Sequence, residues 1–217
     1  AMAARDSLLR DRSGDVCAAL PGTQDALQEL LEMALAHAPA GYAPSARAVA
    51  RPDGQVIDRS LPPLVQLTRL FQEDFCLMMK APGAGEHHLA AAALCFPSGW
   101  TLAQKIGRPL HRIHRPVSAY DNNIARRVQR LFDGVQPGRP LWRFNAIWHV
   151  DPALFQPRPE DVPHPQPAQG ARRFLRLERQ VILRLPRSGA VVFSIHSFML
   201  PEAAALRHLS PGVTEAD

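Results

Sequence analysis

The densest group of chemically capable side chains runs from Phe96 to Tyr120. It reads Phe96-Pro97-Ser98-Gly99-Trp100, then Lys105-Ile106-Gly107, then Ile113-His114-Arg115-Pro116-Val117-Ser118-Ala119-Tyr120. Trp, Tyr, two His, four Arg or Lys and three Pro share one connection, a composition that packing alone explains poorly. His111 and His114 are three apart and share a face of any helical turn. One imidazole of such a pair can ligate a metal or haem iron while its second nitrogen is hydrogen-bonded elsewhere. Spacing alone fits two surface histidines as well. No group of Asp, Glu or Cys accompanies the pair, which argues against a closed tetrahedral zinc site.

A second polar group lies further along. Arg176, Glu178 and Gln180 alternate along one segment and share a face if it is a strand, while Leu175, Leu177, Arg179 and Val181 point the other way. Such a stripe most simply faces solvent. The alternative is a covered polar face on which an arginine satisfies Glu178. Arg143 and Asn145 alternate in the same way on another candidate strand. His87, His88, His149 and His196 sit in or beside strands, where a lone histidine is more simply a packed or surface group. Ser98, Ser118, Ser188 and Ser194 have no nucleophile-elbow context. Neither a Walker loop nor a GxGxxG fingerprint occurs, so nucleotide hydrolysis and a resident nicotinamide site are not supported.

These residues need elements to hold them. Helical spacing of apolar residues predicts helices over Thr23–His37, Leu61–Met79, Thr101–Ile106 and Ala119–Phe132, with a last one over Glu202–Leu209. Short apolar or alternating runs predict strands over His87–Phe96, Pro140–Val150, Phe174–Leu185 and Ala190–Met199. Pro186-Arg187-Ser188-Gly189 joins the last two as a hairpin. Residues 155–170 carry five prolines and read as a loop. Helices first and antiparallel strands later give an α+β fold. The expected division is a helical N-terminal segment over 1–85 packed on a core over 86–209, with 210–217 as a flexible tail, in one compact domain.

The whole chain agrees with a globular reading. It has 217 residues, 46% hydrophobic and 21% charged, enough for a sizeable core. No run approaches the roughly 20 apolar residues of a membrane span. Three scattered cysteines fit neither a disulfide framework nor an iron–sulfur site and suit a reducing cytoplasm. The net charge is +5, but only two of the cations are lysines and aromatics are 6%, with no basic run interleaved with stacking rings. Nucleic-acid binding is therefore not expected. The charge would suit an acidic protein partner.

The run FPSGWTLAQKIGRPLHRIHRPVSAY (96–120) resembles the signature of haem-dependent oxidative N-demethylases. LFQEDFCLM (70–78), RPLWRFN (139–145), DPALFQP (151–157) and LRLERQVILRLPRSGAVVFSI (175–195) resemble further family blocks, in order over roughly residues 20–200. The resemblance implies a PAS-like antiparallel sheet with flanking helices that holds haem b through an axial histidine. It implies oxidative removal of an N-methyl group from a small amine such as dimethylamine, using dioxygen. Electrons would come from NADPH through FMN and a [2Fe–2S] centre on a separate reductase chain.

On this resemblance His114 is the candidate iron ligand, and Arg112 or Arg115 the partner of a haem propionate. Arg143 and Asn145 are further cofactor contacts. Tyr120, Arg176 and Glu178 are the candidate catalytic groups, with Glu178 an anchor for an alkylammonium. The chain departs from the family pattern at Ser118, Ala146, His196 and Phe198, where the family has proline, tryptophan, arginine and tyrosine. If those groups bind substrate or move protons, a non-catalytic haem-binding sensor or assembly subunit is the alternative.

Overall fold

The computed structural model describes residues 1–116, 120–163 and 171–208. In chain order the elements are α1 (Met2–Val16), β1 (Cys17–Ala19), α2 (Gln24–Ala36), β2 (Ala43–Pro44), β3 (Ala48–Ala50), β4 (Val56–Asp58), α3 (Pro63–Leu70), β5 (Asp74–Met79) and β6 (His88–Ala93). They continue as α4 (Leu102–Lys105), α5 (Leu110–His114), α6 (Asn122–Gly134), β7 (Leu141–His149), β8 (Phe174–Arg184), β9 (Val191–Pro201) and α7 (Glu202–Leu206). Six strands form one antiparallel sheet in the order β1-β6-β5-β9-β8-β7, and β2, β3 and β4 form a small second sheet. The fold is α+β.

The middle of the large sheet, β5, β6 and the start of β9, is covered on both faces, whereas β7 at its edge is mostly exposed. Leu27, Leu30 and Leu31 of α2 and Leu64, Leu67 and Leu70 of α3 pack on Phe75, Leu77, Ala91, Ala93 and Val192. Leu102 of α4, Leu110 of α5 and Phe132 of α6 pack on Cys76, Met78, Ala92 and Val191. Alternate residues of β5 and β6 thus enter opposite cores. Four consecutive alanines, Ala90 to Ala93, are each buried and let both helical layers come close.

This two-sided burial corrects one expected element. The helix predicted over Leu61–Met79 ends at Leu70, and Phe71, with φ −116° and ψ 152°, starts extended backbone. Asp74–Met79 is a strand between β6 and β9, nearly all of it buried. A strand covered on both faces has no polar alternation, so its apolar run read as a continued helix. The other predicted helices and strands within the described residues are found, with ends displaced by a few residues; the end of the last helix reaches Leu209, outside them. Helices α1 and α5, strand β1 and the small sheet were not expected. The 85/86 boundary falls in the connection between β5 and β6, which pair along five residues.

Candidate functional site

Helix α5 is held by the start of β6. The backbone N–H of Leu89 donates to Arg108 O, Gly107 N to Leu89 O and Leu110 N to His87 O. These bonds fix where His114 emerges, at the last residue of the helix. Its Nδ1 lies 2.9 Å from Leu110 O, which makes Nδ1 the protonated nitrogen and Nε2 the lone-pair nitrogen. The ring stacks on Tyr120 at 4.4 Å between centroids and 15° between planes. Burial pushes its pKa below the ordinary value, and the charges of Lys105 and Arg143 push the same way, so the neutral imidazole is favoured. A backbone carbonyl on one nitrogen and an available second nitrogen is the usual arrangement of a metal-ligating histidine. The Tyr120 hydroxyl is buried without a hydrogen-bond partner among the described residues.

His111 is different. It is exposed and its Nδ1 pairs with Glu86 Oε2 at 2.8 Å. The two histidines of α5 thus have different partners, Glu86 for His111 and Leu110 O for His114.

The sheet face toward α4, α5 and α6 carries the second polar group. The expectation that the Arg176, Glu178, Gln180 stripe meets solvent is overturned: these residues are 1%, 7% and 7% exposed. Arg176 Nε donates to Glu178 Oε1 at 2.8 Å, and Gln180 Nε2 donates to Glu178 Oε2 at 2.9 Å. Gln180 Oε1 accepts from Arg143 Nε at 2.8 Å. The covered-face alternative is the one found, with an arginine satisfying Glu178. Arg176 also donates to Leu154 O, Phe96 O and Ser197 Oγ, so it ties three segments together. Asn145 stands opposite Glu178 and Ile147 opposite Arg176 in the β7–β8 register.

The remaining expected residues divide. Arg112 Nη1 donates to both oxygens of Glu160 at 3.0 Å, and the buried Lys105 reaches the same carboxylate at 2.5 Å. These bonds, Arg112's first, hold Glu160 near pKa 2. Arg112 is thus committed within the protein. Arg115 is exposed and pairs with no carboxylate among the described residues.

Three of the departures from the family pattern share the opposite face of the sheet. Ala146 pairs with Leu177, which pairs with Phe198, and His196 pairs with Arg179. His196 Nδ1 lies 2.9 Å from Glu73 Oε1. Glu178 pairs with Ser197 and points away from them. The fourth departure, Ser118, lies outside the described residues.

One histidine read from the sequence as a packed or surface group stands on the Glu178 face. His149 lies on the Arg143, Asn145 and Ile147 side of β7, and its Nε2 is buried without a partner among the described residues. Burial and the Arg176 charge push its pKa below the ordinary value. Alternation from Arg143 already placed it on that face.

The donor set fits a haem. It offers a neutral imidazole with its second nitrogen tied, an aromatic ring stacked on it, arginines for carboxylates and buried polar atoms lacking partners. The family model for haem-dependent oxidative N-demethylase, alpha subunit-like proteins matches residues 1–208, nearly the full chain.

Proposed function

From membership of the haem-dependent oxidative N-demethylase, alpha subunit-like family, we propose that this chain binds haem b through His114 Nε2. We propose further that it removes an N-methyl group from a small amine such as dimethylamine, with dioxygen and two electrons from a separate reductase carrying FMN and a [2Fe–2S] centre. NADPH would be the source of those electrons. The observation that carries the reading is His114 itself: neutral, stacked on Tyr120 and oriented by Leu110 O.

When bound, haem supplies reductive activation of dioxygen and insertion of one oxygen atom into the N-methyl group. The second oxygen leaves as water, and the hydroxymethylamine breaks to formaldehyde and the demethylated amine. The protein's residues set the site for this. Leu110 O keeps the proton on His114 Nδ1. Arg115 and Arg143 offer cationic partners for the two haem carboxylates, with Asn145 as a neutral contact and Gln180 fixing the direction of Arg143. Glu178 accepts one bond on each oxygen and keeps a further lone pair on each. An alkylammonium donates to that lone pair, while Arg176 holds the carboxylate in place from the other side. The departures at Ala146, His196 and Phe198 lie on the other face of the sheet, so they do not remove groups from this one.

The test is an absorption spectrum of the haem-loaded protein, oxidised, reduced and under carbon monoxide, for wild type, His114→Ala and His149→Ala. A Soret band changed or lost in His114→Ala and kept in His149→Ala is expected, with partial recovery by added imidazole. An unchanged spectrum in His114→Ala sinks the assignment. Formaldehyde release from dimethylamine with a ferredoxin-type donor then tests the reaction. A loaded protein that releases none is a haem-binding subunit rather than the enzyme.

A further inference from the structure

The positive charge of the chain is concentrated. Residues 101–132 hold seven of the 25 Lys and Arg but only one of the 20 Asp and Glu, Asp121. The rest of the chain holds 18 against 19 and is close to neutral. Two of the seven, Lys105 and Arg112, pair with Glu160. The other five, Arg108, Arg115, Arg126, Arg127 and Arg130, are exposed and form no salt bridge among the described residues. Asp121, whose carboxylate caps α6 by accepting from Asn123 N and Ile124 N, offsets only one of the seven, which leaves this segment six positive charges in excess.

Three of these cations, Arg126, Arg127 and Arg130, are carried by α6. Arg126 and Arg130, one turn apart on α6, line a groove of about 840 Å³ together with His111 of α5. The carboxylate in that groove, Glu86, is engaged by His111. Ile124 and Leu131 of α6 are 37% and 49% exposed, so apolar side chains stand among the arginines. The ring of α6, Phe132, is buried. Apolar contacts ringed by charge suit a protein surface, whereas a nucleic-acid face would present stacking rings.

We propose that this arginine face of α5 and α6 is the docking surface for an acidic redox protein that delivers electrons to the haem. The proposal rests on the function proposed above. Its physical content is that the basic surface is carried by the same segment as His114, so a partner steered to it arrives beside the proposed iron ligand. A concentrated field of one sign raises the encounter rate with an oppositely charged partner and makes it sensitive to salt.

The experiment uses the full chain and an acidic [2Fe–2S] ferredoxin as probe. Binding is measured for wild type, for the triple variant Arg126→Glu, Arg127→Glu, Arg130→Glu, and for Arg10→Glu on α1, where the reversed charge lies at a 70% exposed position elsewhere. Circular dichroism of each variant checks the fold. Wild type and Arg10→Glu are expected to bind alike, and the triple variant roughly tenfold or more weakly. Raising salt from about 0.01 to about 0.1 M shortens the screening length from about 30 to about 10 Å and should weaken wild-type binding. Equal binding by a folded triple variant overturns the proposal. So does absence of ferredoxin binding to wild type, or displacement of the ferredoxin by a DNA duplex. Haem loading is read separately from the Soret band. Failure to load haem counts against the proposed function, whereas failure to bind ferredoxin with haem loaded counts against the docking face.

Discussion

At Glu178 the two carboxylate oxygens are divided between Arg176 and Gln180, and Arg143 follows Gln180. Removing one member of a buried pair leaves the other charge uncompensated, which typically costs about 3–5 kcal/mol. Arg176→Leu is therefore expected to destabilise the fold by that order, read as a lower urea midpoint with an unchanged slope. The loss would exceed that of a surface arginine because Arg176 also bonds Leu154 O and Phe96 O. The identities and spacing of Arg176, Glu178 and Gln180 were legible in the sequence, and so was their common face. What covers that face was not, because Phe96 and Leu154, whose carbonyls Arg176 reaches, lie 80 and 22 residues earlier in the chain. His149 was read as a packed or surface group, and the Arg176 charge and Gln156 beside it come from other segments, which alternation along β7 does not show.

Elements here are joined through side chains that bind backbone. Glu29 of α2 accepts from Arg187 N at 2.6 Å and Ser188 N at 2.8 Å, so a helix residue holds the turn between β8 and β9. That turn needs a glycine, Gly189, whose φ is +70°. Burial alone would raise the Glu29 pKa, but the bonds to Ser188 and Arg187 outweigh it and lower it. Glu29→Ala leaves two amides without their acceptor and is expected to cost about 1–3 kcal/mol, with faster hydrogen exchange at Arg187 and Ser188 as its mark. Asp121 caps α6 through Asn123 N and Ile124 N, and Asp121→Ala is expected to lose about 1 kcal/mol; thermal unfolding checks it. The hairpin turn was readable because Pro and Gly punctuate two alternating runs. The Leu61–Met79 boundary was not, because polar alternation is absent where both faces of a strand are covered.

For the molecule as a whole, three buried or half-buried histidines set a pH limit. Burial holds His87, His114 and His149 below their ordinary value of 6.5. Asp133 and Gln129 oppose the shift at His87, and Lys80 and Arg184 add to it. With the folded values lower than the unfolded ones, the unfolded chain binds more protons just below pH 6.5. Stability is thus full above about 6.5, falls as pH drops from there towards the folded values, and levels off below them. Urea midpoints measured above and below that value should decrease on the acid side. His87→Gln, which keeps a polar side chain without the titration, should flatten the decline. A further loss is expected in stronger acid as Glu160, held near 2, lets go of Arg112 and Lys105.

The strand order has a consequence for how the chain is made. β5 is bordered by β6 on one side and by β9 on the other, and Phe75 pairs with Ser194. When residues 74–79 leave the ribosome, one of their two hydrogen-bonding edges has no partner until residues 191–195 follow. At roughly 5–20 residues per second the delay is on the order of 10 s. Throughout that interval an almost wholly apolar strand presents open amides and carbonyls to its surroundings. The growing polypeptide should therefore depend on chaperones until the final hairpin has been synthesised, and truncation before β9 should send it to aggregates rather than to a smaller native form.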